Sequence, residues 1–195
     1  MRRSATLHAI VLAAGASTRF GSPKQLARIN GHPLLQRVLS LAGDQFGPAV
    51  TVVLGAHAAD ISASLPQSSA SIVINRDWQE GLASSIRAGV QRLPGACDGA
   101  LILLADQPLV GAEGLRRLVT AWRRAPRQII ASMYNGVTGV PAVFPRWCFD
   151  ELCALRGDQG ARLILRRHAD RLVRLEHPEA ALDIDYPEDL LDLQL

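Results

Sequence analysis

The chain has 195 residues, of which 48% are apolar and 20% charged, and carries a net charge of +3. That length supports one sizeable core and is short for two independent ones, so a single domain over 1–195 is expected. Basic residues are dispersed along the chain, which argues against a nucleic-acid-binding surface. Cys97, Cys148 and Cys153 form no C-x-x-C pair and have no histidine at metal-ligand spacing, so they read as buried thiols of a cytoplasmic protein.

The opening MRRSATLHAIVLAAGAS has the two arginines, apolar stretch and Ala-Gly-Ala of a secretory leader. Its apolar run is short for that purpose and the cysteines supply no disulfide framework, so 7–14 is read as the first core strand. No segment reaches the roughly 18 uninterrupted apolar residues of a membrane span. Further along, 49–55, 71–75, 99–106 and 128–134 are continuously apolar rather than alternating, the pattern of strands covered on both faces. Between them, 33–43, 81–93 and 113–125 place apolar residues three and four apart, as amphipathic helices do. The sequence 134–145 reads as an excursion containing a strand. Two helices follow at 146–157 and 158–170, with Asp158 as N-cap of the second. A short strand pair at 171–176 and 181–185 leads to a terminal helix at 187–195. Pro187 can start that helix, and Asp185 and Glu188 have capping-box spacing.

The βαβαβαβ order predicts an α/β fold: a three-layer α/β/α sandwich on a mostly parallel sheet with right-handed crossovers. Ligands of such sheets sit beyond the carboxyl ends of the strands. Three informative loops fall there: GASTRFGSPK after the first strand, ADQP after the fourth, and DIDYPED near the end.

The first loop fits neither G-x-x-x-x-G-K-[ST] nor G-x-G-x-x-G. It still has the small residues that let backbone N–H groups approach an anion, with Arg19 and Lys24 to add charge. An ordinary glycine-rich βα turn is the competing reading. Lys24 is the sole lysine among 21 basic residues. In an arginine-biased chain, a lone lysine marks a place that needs a compact ammonium rather than a planar fork, and phosphate contact is the usual reason. Asp106 and Asp185 each end an apolar run at the same edge. Singly, each reads as a turn or cap residue; together they could offer Mg2+ the one or two carboxylates it takes besides water and phosphate oxygens.

LAAGASTRFGSPKQL resembles the L-A-A-G-x-S-x-R-x-G-x-x-K-x-L signature of the MobA-like nucleotidyltransferases, and within them the molybdenum cofactor cytidylyltransferase branch. GAHAADI, NRDWQEGLASSIRAG, LLADQPLV, GVPAVF, LRGDQGARLIL and LDIDYPEDL resemble that branch in the same order, over nearly the whole chain. The resemblance implies a GT-A-like fold and Mg2+-dependent transfer of a nucleotide from a triphosphate to a phosphorylated acceptor. It places Leu12, Ala13, Ala14, Gly15, Ser17, Arg19, Gly21 and Lys24 on the nucleotide, with Arg19, Lys24 and Asp106 catalytic and the metal on Asp106 and Asp185. Ser84 and Ser85 would reach base or ribose from the start of a helix, with Asn75 and Gly81 in the same segment. Ala14 stands where related guanylyltransferases have glycine, so CTP is the expected triphosphate and molybdopterin the expected acceptor. A molybdoenzyme or its chaperone is the expected protein partner. Phe20 replaces a common methionine, and Gly139, Val140 and Pro141 depart from the branch's G-H-P in the acceptor region. The alternatives are a nucleotidyltransferase that uses GTP or acts on another phosphorylated acceptor such as a sugar 1-phosphate, and a non-catalytic nucleotide- or cofactor-binding partner of a molybdoenzyme.

Overall fold

A computed structural model of the chain describes residues 5–66 and 70–193. Strands β1 (Leu7–Ala13), β4 (Val50–Leu54), β5 (Ser71–Ile74), β6 (Gly99–Leu104), β7 (Ile129–Tyr134), β8 (Val137–Pro145) and β9 (Leu172–Glu176) form one sheet. Their order is β5-β4-β1-β6-β8-β7-β9, and a two-stranded ribbon, β2 (Arg28–Ile29) and β3 (His32–Pro33), lies outside it. β1 pairs in parallel with β4 and β6, β4 with β5, and β7 with β9. β8 runs antiparallel to both neighbours. The apolar run 7–14 thus supplies β1, an interior strand of the sheet. The excursion at 134–145 is a nine-residue strand, β8, in the middle of the sheet.

Alternation along β1 explains why its neighbours must cover both faces. Ala9, Val11 and Ala13 point into a core with Leu35, Val38 and Leu39 of α1 (Leu34–Phe46), Ile61 of α2 (Ala58–Ser64), and Leu115, Leu118 and Trp122 of α4 (Ala112–Arg124). Ile10, Leu12 and Ala14 point the other way, toward α3 (Leu82–Val90), α5 (Phe149–Ala154) and α6 (Arg162–Arg167). The layers are α/β/α, as the continuous apolar runs require. Edge strands escape that rule: Ile72 and Ile74 of β5 are exposed although their run reads as buried.

Four local expectations are corrected. Residues 181–185 make no strand; a 3-10 turn, Pro178–Ala181, precedes an extended segment whose Ile184 N–H donates to Asp106 O at 2.9 Å. The terminal helix is a 3-10 helix over Pro187–Leu193, and its last two expected residues lie outside the described ones. Its start is held by Asp189, whose Oδ2 accepts from the N–H groups of Asp185 and Tyr186 at 2.8 Å each, rather than by an Asp185–Glu188 box. Asp158 caps nothing, because α6 begins only at Arg162 with Ala161 before it. Finally, α2 is a helix that the sequence reading left unassigned.

Candidate nucleotide-binding site

The carboxyl ends of β1 and β6 open onto a cleft of about 380 Å3 lined by residues 12–19, Lys24, Gln25, Trp78, Gly81, Ser85, Asp106, Asp158 and Asp185, among others. Its floor is the loop after β1. Ser17 takes a left-handed conformation (φ 56°), and its carbonyl accepts from the N–H groups of Phe20 and Gly21 at 3.0 and 3.1 Å. Gly21 also has positive φ (78°), which a side chain would strain; it shapes the turn and does not line the cleft.

The loop is pinned by a residue that motif reasoning missed. Gln25 is 3% exposed; its Nε2 donates to Ala13 O at 3.0 Å and Gly15 O at 2.9 Å, and its Oε1 accepts from Ser17 Oγ at 3.3 Å. Ser17 Oγ in turn accepts from the Lys24 N–H at 3.2 Å. A polar residue directly after Lys24, in a stretch bound for the interior, was the signal available. Gly55 supports the loop from behind. A Cβ there would lie 2.6 Å from Trp78 Cβ and 2.7 Å from Ala14 O, so β4 passes the loop only without a side chain. Ala14 lines the cleft but is 5% exposed, and its methyl is turned largely toward Gly55.

Lys24 reaches across the cleft. Its Nζ donates to Asp106 Oδ2 at 2.7 Å, Ile184 O at 2.7 Å and Asp185 Oδ1 at 3.2 Å, which uses all three ammonium protons. Partial burial disfavours the charged amine, but Asp106 and then Asp185 outweigh that and raise its pKa. The segment carrying Asp185 is fixed by a small separate core of Ile29, Leu34 and Ile184, with Phe20 packed on it. Arg19 is more exposed: its Nη2 meets Asp185 Oδ2 at 3.0 Å and its guanidinium lies over the Tyr186 ring.

Asp183 is a third carboxylate beside this pair that the sequence reading passed over. Enclosure by the pocket wall pushes its pKa up to about 6, aided by the charges of Asp106 and Asp185. Asp106 Oδ1 is buried and has no hydrogen-bond partner among the described residues. An orphaned carboxylate oxygen beside a second carboxylate suits a hard divalent cation, which takes oxygen ligands. No cluster of three or more ligating side chains occurs among the described residues, and Asp106 and Asp185 are the carboxylates that both line the cleft and bond Lys24.

The α3 end of the cleft is only partly as expected. Ser85 lines it, whereas Ser84 does not: Ser84 Oγ donates to Gly81 O at 2.8 Å and accepts from Asn75 Nδ2 at 2.8 Å. Asn75 also bonds Ser85 Oγ at 3.1 Å and is buried. The first N–H groups of α3 are not free either, since Ala83 donates to Gly157 O and Ser84 to Gly81 O. Ser84 and Asn75 therefore position the helix start instead of offering groups to a ligand.

Residues 9–172 match the family described as "MobA-like NTP transferase domain". The chain belongs to that family. It is 31% identical to the purine catabolism protein PucB of Bacillus subtilis, over 84% of this chain and 82% of that one. Nicotine blue oxidoreductase of Paenarthrobacter nicotinovorans is 30% identical, over 81% and 80%. The fold matches Rv0371c of Mycobacterium tuberculosis H37Rv with a TM-score of 0.84 at 29% identity, covering 98% of both chains. A manganese complex of Rv0371c matches with a TM-score of 0.78 at 28% identity, covering 96% and 97%. This MobA-like domain thus has the GT-A-like nucleotidyltransferase fold. Among its described residues no helix is long and apolar enough to cross a membrane.

Proposed function

We propose that this protein is a nucleotidyltransferase that moves CMP from CTP to the phosphate of molybdopterin, releasing pyrophosphate. One observation carries the reading: the sole ammonium side chain lies 2.7 Å from Asp106 and 3.2 Å from Asp185, at the mouth of a small-residue cradle. Leu12, Ala13, Ala14, Gly15 and Ser17 present backbone to the triphosphate, and Gln25 keeps that backbone in shape. Lys24 exchanges its carboxylate partners for phosphate oxygens, and Arg19, exposed at the cleft beside Asp185, adds a second cation. The acceptor phosphate is already ionised, so no general base is needed; in-line positioning and charge neutralisation supply the rate.

Asp106 and Asp185 would hold Mg2+, which supplies charge neutralisation at the transferring phosphates. The manganese complex of Rv0371c supports a divalent ion in this fold. For the acceptor, the cavity next to the cleft is walled by Leu12, Leu82, Ile86, Ile102, Leu104 and Val140, with the polar groups of Tyr134, Asp158, Asp183 and Arg162 also on its lining. The apolar part of that wall suits the face of a planar ring system, and the polar groups suit its edge.

The test is pyrophosphate release with each of the four nucleoside triphosphates against molybdopterin and sugar 1-phosphates, with and without Mg2+. CTP with molybdopterin should be the productive pair, and Asp106→Ala should lose Mg2+-dependent release while folding normally. Nucleotide binding without release from any pair would instead make the protein a cofactor-binding module.

A further inference from the structure

Beyond the cleft, the α3/α6 face of the sheet carries a trough in three parts. The nucleotide cleft shares Leu12, Leu82, Leu104 and Asp158 with the adjoining cavity of about 330 Å3. That cavity shares Arg162 with a depression of about 230 Å3, lined by Gly136, Val137, Thr138, Leu165, Leu172 and Arg162, Arg166 and Arg174. The tight turn after β7, with positive φ at Asn135 and Gly136, sets one wall; α6 and β9 set the others.

The charge pattern along the trough is uneven. Arg162 and Arg166, four apart on α6, share one helical face, and Arg174 comes from β9. Among the described residues none of the three is paired with a carboxylate, whereas Arg87, Arg116 and Arg167 have partners in Glu80, Glu113 and Glu151. The middle cavity is mainly apolar, with Tyr134 on its wall and two carboxylates, Asp158 and Asp183, at its rim. Positive charge is therefore in excess only at the depression, since the cleft sets Lys24 and Arg19 against Asp106, Asp158 and Asp185, and the middle cavity sets Arg162 against Asp158 and Asp183. A concave depression of this size fits one phosphate- or carboxylate-sized group better than a protein segment, for which a broad surface is needed.

We propose that the Arg162–Arg166–Arg174 depression is the far end of the acceptor site. The acceptor then has a ring-like body lying against the partly apolar middle cavity, with the reacting phosphate toward the cleft and a second anionic group toward the arginines. This rests on the nucleotidyl-transfer reading and extends it to a substrate class. It also separates acceptor recognition from nucleotide recognition, because none of the three arginines lines the nucleotide cleft.

The decisive variant is Arg166→Gln/Arg174→Gln, which leaves the cradle and the aspartates untouched. With molybdopterin as acceptor, its KM should rise about tenfold or more, the size of one or two charge-assisted contacts, with the KM for CTP and the kcat within about twofold. An unchanged acceptor KM, or an equal rise in both KM values, overturns the proposal. Inorganic phosphate, titrated into 15N-labelled protein with CTP saturating the cleft, gives a readout without turnover. Saturable shifts of the arginine Nε–H signals, lost in the double variant, are expected. Their absence in the wild type overturns the anion site, whatever the assays show. If phosphate binds there but no acceptor yields pyrophosphate, the transfer reading fails and the anion site stands.

Discussion

Lys24→Met keeps the length and apolar stem of the side chain and removes the ammonium. Asp106 then loses the partner of Oδ2 while Oδ1 already has none, and Ile184 O and Asp185 lose theirs. Unit charges about 3 Å apart attract by roughly 5 kcal/mol at an effective dielectric of 20. Lys24, Asp106 and Asp185 are 15%, 23% and 36% exposed, so water returns much of that. The net loss should fall between an exposed pair and a fully buried one, at about 2 kcal/mol, or roughly a 4–8 °C drop in Tm. Because the folded-state pKa of Lys24 is raised, its contribution is fully present below the ordinary lysine value of 10.5 and is lost as pH rises through the higher folded value. Thermal melts followed by circular dichroism should show a constant difference between wild type and variant through neutral pH, closing only in strong alkali. In the transfer assay, kcat/KM should fall about a hundredfold. Lys24→Arg should not restore either property, since a planar fork cannot meet three acceptors arranged around a point charge. A Lys24→Met protein that melts within about 1 °C of wild type would refute the energetic reasoning. One that transfers nucleotide normally would refute the catalytic role.

Gln25→Ala should raise the KM for CTP about tenfold and cost about 2 kcal/mol of stability, because three hydrogen bonds that shape the cradle are lost. Parallel melts and CTP titrations check it, and an unaltered KM would make Gln25 a purely structural residue. Gly55→Ala should destabilise by about 2 kcal/mol and weaken CTP binding, since the added methyl meets Trp78 and the Ala14 carbonyl. A neutral effect on both would mean that β4 can shift away. For Asp183, the folded-state pKa lies near 6, above its ordinary 3.8, so ionisation costs stability as pH rises through that window. Asp183→Asn should therefore raise Tm at pH 8 and leave it unchanged at pH 3.5; equal Tm at pH 8 would contradict the raised value.

Much of this architecture was legible from short-range pattern. Continuous apolar runs identified β1, β4, β6 and β7, because strands packed on both faces cannot alternate, and the 3.6-residue period identified α1, α3 and α4. The pattern misled where burial departs from hydropathy, as at the exposed edge strand β5. It also failed at 181–185, where only Ile184 N–H reaches the main chain of Asp106, beyond the end of β6, and no strand ladder forms. Ser84 has the same hydroxyl as Ser85 one position on, so only the direction in which α3 packs tells which one faces the cleft.

By itself, the sequence determined that a glycine-bearing turn with one lysine follows the first strand, and that two aspartates end later apolar runs. Those are properties of neighbouring residues, set by steric freedom and periodicity. Only the tertiary structure decided that the three charges meet, since 82 residues separate Lys24 from Asp106 and 161 separate it from Asp185. Their convergence depends on β6 lying beside β1 and on the Ile184 segment being drawn to the end of β6 by the small core around Ile29 and Leu34. Contacts closed over such long loops arise from the packing of whole layers, which no local stretch of the chain encodes.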